Sequence, residues 1–201
     1  MKTIVFVADY FSNQVLGGGE LNNDELINIL IERSNKVIKI NSINLTTSFI
    51  EKYPDYFYII ANFVMMPIAV LHALTTNANY VIYEHDHKYL KNRNPGLFKN
   101  FLVPKDQLIN LPFYFNAKAV FLQSNFHKEI VFKNTKLENL INLGGNIWSV
   151  DTLNIFRKNA LIKKDNTYAI MDSAIKHKNT LDATTFCNIK NYNYNLIKSK
   201  N

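Results

Sequence analysis

The 201-residue chain has a single cysteine, Cys187, so no internal disulfide can brace it and no cysteine set has zinc spacing; a reducing compartment suits such a chain. Charged residues make up only 19%, too few for a solvated, disordered composition. Uninterrupted apolar runs are also lacking. The most apolar stretch, YIIANFVMMPIAVLHAL (58–74), is broken by Asn62, Pro67 and His72. It divides into a buried strand ending near Phe63 and a helix with Pro67 in its first turn, and is not read as a membrane span. The apolar run of MKTIVFVADYF stops at Asp9 without a small-residue cleavage site, so no secretory signal is expected and the chain is read as cytoplasmic. Helix-turn-helix, zinc-finger and RNA-binding signatures are missing too, which excludes sequence-specific nucleic-acid binding and leaves nucleic acid as a substrate only.

What is present is core-forming material. Hydrophobic residues reach 47% and aromatics 13%, and the length suits one large domain, or one domain plus part of a second. The formal charge of +7 gives a surface that attracts phosphates, anionic lipid or nucleic acid, without choosing among them. Peripheral contact with a membrane is compatible with that charge.

Along the chain, short β-branched runs alternate with helical patterns. TIVFVA (3–8) reads as a strand covered on both faces, followed by VLGGGELNN (15–23) and a helix over 20–33 with apolar Leu21, Leu26, Ile27, Leu30 and Ile31 and a polar face between them. Further strands are expected within 34–40, 53–63, 79–87, 117–124 and 138–145, with helices over 67–75 and 125–134, the latter capped by Asn125. This alternation predicts a Rossmann-like α/β domain, a doubly wound parallel sheet with helices on both faces, over 1–164. From 165 the pattern restarts as strand, helix and strand, the opening of a second α/β domain. A lone unit of that kind cannot cover both faces of its own sheet.

Ligands of open parallel sheets gather beyond the carboxyl ends of the strands, which here means Gly17 to Glu20 and Glu84 to His87. The glycines lack the G-x-G-x-x-G spacing of a dinucleotide fingerprint, because residues 9–17 intervene after the strand. Consecutive glycines before a helix still let backbone N–H groups approach an anion, and a plain flexible loop with Glu20 in the first helical turn is the other reading. In YEHDH, His85 and His87 share one side if the strand extends that far. The pair could bind a metal, although spacing fixes no third ligand; solvated imidazoles, or a hydrogen-bonding role at a substrate, are the alternatives. The connection that follows carries Lys88, Lys91, Arg93, Lys99 and Lys105, a concentration of positive charge unless it is simply a solvated loop. Strands one and four are compatible with adjacency across a switch point.

The order of GGGE before a helix, RSNKV leading into strand two, EHD after strand four and AVFLQSNFHKE resembles the N-terminal domain of GT-B glycosyltransferases, most closely the retaining, glycogen-synthase-like branch. The resemblance implies transfer of a sugar from a nucleotide-sugar donor to a glycan or other acceptor, with the acceptor side in 1–164 and the start of a donor-binding domain in 165–201. It places Gly17, Gly18 and Gly19, with Glu20 behind them, against the donor phosphates and sugar, and His85 with Asp86 beside the transferred sugar as catalytic residues. It matches Lys178 to a phosphate-binding lysine, and it implies no metal or other cofactor. Two departures stand against it. The family's arginine position falls near Ser173 or Ala174, and the two spaced glutamates that hold ribose and sugar would lie beyond Asn201, so a truncated chain is expected. The competing reading is a non-catalytic α/β module that binds an anionic glycan, a lipid head group or a partner protein through residues 88–105.

Overall fold

The computed structural model describes residues 2–33, 35–175 and 178–198, which form two compact units, the chain passing from one to the other between Trp148 and Ser149. In the first unit six strands make one wholly parallel sheet in the order β2-β1-β3-β4-β5-β6. They are β1 (Thr3–Ala8), β2 (Lys36–Asn41), β3 (Phe57–Ile60), β4 (Asn79–Tyr83), β5 (Val120–Leu122) and β6 (Leu140–Asn142). β1 is an interior strand buried on both faces, whereas the edge strand β2 is only partly buried and leaves Lys36 and Lys39 exposed.

The two-residue period of β1 sorts the core. Ile4, Phe6 and Ala8 join Ile59, Val81 and Tyr83 on one face, packed under Ile27 of α1 (Gly18–Glu32). Val5 and Val7 join Tyr58, Ile60 and Ile82 on the other. There Ile50 of α2 (Thr47–Lys52), Leu74 of α3 (Ile68–Asn77), Phe113 of α4 (Leu111–Asn116) and Val131 of α5 (Asn125–Thr135) cover them. Because the helix after β1 and the helix after β3 lie on opposite faces, the switch point falls between β1 and β3. The expected adjacency of strands one and four is therefore corrected: β3 lies between them.

The carboxyl ends around that point are pinned. Asp9, buried at the end of β1, accepts from the backbone N–H of Val64 and of Met65, each at 3.0 Å, and from the Ser42 hydroxyl. Ala61 N–H donates to Val7 O at 2.8 Å. These bonds fix the turn between β3 and α3 against β1. α5 is capped by Ser124, whose Oγ accepts from His127 N–H at 3.1 Å; Asn125, expected to cap, is already the first helical residue and accepts from Asn142 instead.

The second unit contains α6 (Val150–Ala160), β7 (Thr167–Asp172), α7 (Thr180–Lys190) and β8 (Asn193–Lys198), with β7 and β8 paired in parallel. The strand, helix and strand expected from 165 onward are present, but the compact unit begins earlier, at Ser149, and takes in α6. Among its described residues only Ile170 and Cys187 are buried hydrophobics, and Tyr168, Met171, Leu196 and Ile197 of the paired strands stay exposed. No described helix in either unit is long and apolar enough to cross a membrane.

Candidate functional site

Beyond the carboxyl ends of the sheet the first unit opens a cavity of about 360 Å³. Gly18, Gly19 and Glu20 form one wall, His85 and Asp86 another, and the amides of Asn23, Asn62, Gln123 and Asn146 complete it beside Trp148. The glycines are not a loop. Gly17 is the N-cap of α1, in extended conformation and offering no side chain, and Gly18, Gly19 and Glu20 make the first helical turn. Their N–H groups are thus left without a side-chain partner at the positive end of a 15-residue helix dipole. Gly19 faces His85 so closely that a Cβ there would meet the imidazole at 3.7 Å, while a Cβ on Gly18 would meet nothing within 4 Å. Glycine is therefore not demanded by packing at position 18.

His85 is held at both ring nitrogens. Gln123 Nε2 lies 2.7 Å from Nδ1 and can only donate, so Nδ1 accepts and the proton sits on Nε2, which donates to Asn23 Oδ1 at 2.7 Å. Burial, reinforced by the nearby Lys88 charge, pushes His85 down to about 4, so the ring is neutral at physiological pH. A neutral imidazole with both nitrogens occupied is a fixed wall of the site, not a free proton carrier. Asn22 and Asn23, which the sequence pattern puts on the polar face of α1, are buried: Asn22 accepts from the Tyr83 hydroxyl and donates to Ile147 O at 2.9 Å.

Asp86 stays about half exposed and carries the accessible carboxylate on this side, with Arg93 at 3.5 Å and Lys88 at 3.9 Å. Beneath it lies a buried ion pair, Glu84 with Lys88 at 2.7 Å, both side chains almost wholly inaccessible. Glu84 also accepts from Asp86 N–H at 2.9 Å and from the Tyr114 hydroxyl. Lys88 is thus removed from the basic surface expected of residues 88–105, whereas Lys91, Arg93, Lys99 and Lys105 are exposed as expected.

His85 and His87 do not converge on one ligand. His87 Nδ1 meets the Tyr89 hydroxyl at 3.1 Å, its ring packs edge-on to His127 at 4.6 Å, and burial pushes it down to about 3. Among the described residues no group of three or more His, Cys, Asp or Glu is arranged to hold a metal ion. Lys178 belongs to the second unit, where its N–H donates to Ile175 O at 2.9 Å just ahead of α7.

Of the first-unit residues expected at the site, Gly18, Gly19, Glu20, His85 and Asp86 line one cavity, while Gly17 caps α1 and is not part of that lining. Asn23, Asn62, Gln123, Asn146 and Trp148 line it as well and were not expected there. Their one legible signal was position: Asn62 and Gln123 each follow a strand toward the same sheet edge.

No family model matches the chain, and no curated protein is similar to it. Solved structures are. An α-glucosyltransferase in complex with UDP and a 13-mer DNA containing an HMU base superimposes with a TM-score of 0.54 at 13% identity, over 100% of this chain and 58% of that one. An α-glucosyltransferase with UDP-glucose and DNA containing an abasic site gives 0.52 at 14% identity, over 94% of this chain and 54% of that one. The Rossmann-like α/β fold is therefore shared with GT-B glycosyltransferases. This chain spans between half and three-fifths of their length.

Proposed function

We propose that the chain acts in glycosyl transfer from a nucleotide-sugar donor, as part of a GT-B enzyme of the retaining, glycogen-synthase-like branch. The observation that carries this reading is the uncapped, glycine-built N-terminus of α1 opening at the switch point onto a cavity shared with His85 and Asp86. Breaking a sugar–phosphate bond gathers negative charge on the departing diphosphate, and preorganised donors stabilise that charge. In this reading the N–H groups of Gly18, Gly19 and Glu20 supply such donors, and no metal is needed. Neutral His85 walls the sugar, and Asp86 orients or deprotonates a hydroxyl.

The acceptor to test first is duplex DNA, because the similar structures are described with DNA and this chain carries +7 with Lys91, Lys99 and Lys105 exposed. Incubation with UDP-glucose and either HMU-containing duplex or oligosaccharide, followed by UDP release, tests the reading. Acceptor-dependent release that Asp86→Asn abolishes is expected. Binding of anionic glycan or vesicles with no donor turnover would favour the non-catalytic module, and an Asp86→Asn variant as active as the parent would remove Asp86 from the chemistry.

A further inference from the structure

Asn62 lies two residues beyond the end of β3, at the switch point, and lines the same cavity as His85 and Asp86. Its side chain makes no hydrogen bond to any described residue, and its Oδ1 is buried from solvent as well. Leaving a buried amide oxygen without a donor forfeits its hydration with nothing in exchange. A half-turn of the amide exchanges its two ends and leaves the other one orphaned, so local rotation does not remove the cost. Nor is the backbone free to carry the residue away. Ala61 on one side is bonded to β1, and Val64 and Met65 on the other are held by the Asp9 carboxylate. Asn23 and Gln123, by contrast, are engaged with His85.

The charge of the lining limits what could satisfy Asn62. Glu20 and Asp86 are its carboxylates, and it contains no lysine or arginine. Away from the α1 N-terminus a phosphate would meet these carboxylates with no cation in the lining, Arg93 and Lys88 reaching Asp86 from behind it, whereas a hydroxylated neutral ring offers donors to the carboxylates and both donors and acceptors to an amide. We infer that Asn62 is a specificity-determining residue that hydrogen-bonds a hydroxyl of the hexose entering this cavity. This rests on the glycosyl-transfer reading, and it adds that the sugar takes the part of the cavity lined by Asn62 while the diphosphate lies against its α1 wall, at Gly18 and Gly19.

The test compares UDP-glucose with UDP on the full chain by amide NMR, together with an Asn62→Leu variant. UDP-glucose, and not UDP, shifts the Asn62 side-chain amide. Asn62→Leu melts at or above the parent temperature, because an unsatisfied polar group has been removed, yet loses about tenfold in affinity for UDP-glucose, the scale of one hydrogen bond, with UDP unaffected. A melting temperature lowered by several degrees, or an undiminished preference for UDP-glucose in Asn62→Leu, overturns the assignment of Asn62. If UDP shifts Gly18 and Gly19 but the Asn62 amide ignores the sugar, the inference alone fails. If neither ligand moves any cavity residue, the glycosyl-transfer reading fails with it.

Discussion

Removing one member of the Glu84–Lys88 pair is the sharpest perturbation of the platform beneath Asp86. Both side chains are at most 1% exposed and lie 2.7 Å apart, so neither charge can be recovered by water when its partner is lost. In Lys88→Met, Glu84 keeps only the Tyr114 hydroxyl and the Asp86 N–H; in Glu84→Gln, the nearest carboxylate to Lys88 is Asp86 at 3.9 Å. Orphaning a buried charge costs about 3–5 kcal/mol. For a chain of this size each kcal/mol lowers the melting temperature by about 2–4 °C, so either variant should melt roughly 6–20 °C below the parent. The double variant Glu84→Gln/Lys88→Met removes both charges at similar volume and should return to within about 1.5 kcal/mol of the parent. Thermal and urea unfolding followed by circular dichroism measure the cycle. Single variants that each cost less than about 1 kcal/mol, or a double variant that is simply their sum, would refute the claim that this pair is coupled and buried.

Gly18→Ala should stabilise the apo chain by about 0.5–1 kcal/mol, because helical Ala is favoured over Gly and the new methyl meets nothing within 4 Å; weakened UDP binding should accompany the gain, and a lower melting temperature would contradict it. Acidification should expose the neutral state of His85. Its folded value of about 4 lies below the ordinary 6.5, so its contribution to stability is complete above pH 6.5 and is lost as pH falls toward 4. By pH 5 the loss is about 2 kcal/mol, and the difference in stability between pH 7 and pH 5 should shrink by about that amount in His85→Gln.

The strands were legible because β1 and β4 are short apolar runs rich in β-branched and aromatic residues, buried from both sides. The short helices were not. α2 and α4 are six residues each, too short to show a period, and α4 carries a Pro and three aromatics that compete with a helical reading. α6, which the alternation described for the sequence passes over, did carry signals: Ser149 caps it through Thr152 N–H, Asp151 lies in the first turn, and Val150, Leu153 and Phe156 recur at helical spacing. At the site, glycines and histidines at strand ends stand out in a sequence because few other residues serve an anion or a proton. Amides do not. The bonds that define His85 reach across 62 and 38 residues to Asn23 and Gln123, and only the folded sheet brings those partners together.

Those two amides change what His85 can do. A histidine after a strand suggests proton transfer, but transfer needs a lone pair facing the substrate, and here the lone pair on Nδ1 already accepts from Gln123. Asn23 takes the Nε2 proton, and Asn23 sits in α1, five residues after the first helical residue, so the helix that presents Gly18 and Gly19 also sets the tautomer of the ring that Gly19 faces. The glycine wall and the histidine wall are therefore one rigid piece. Under the proposed glycosyl transfer, proton chemistry at this cavity would fall to the carboxylates, and of the two that line it Asp86 has its backbone tied to the buried Glu84 and its oxygen near Arg93. Asp86, not His85, is the group whose neutralisation should separate loss of turnover from loss of binding.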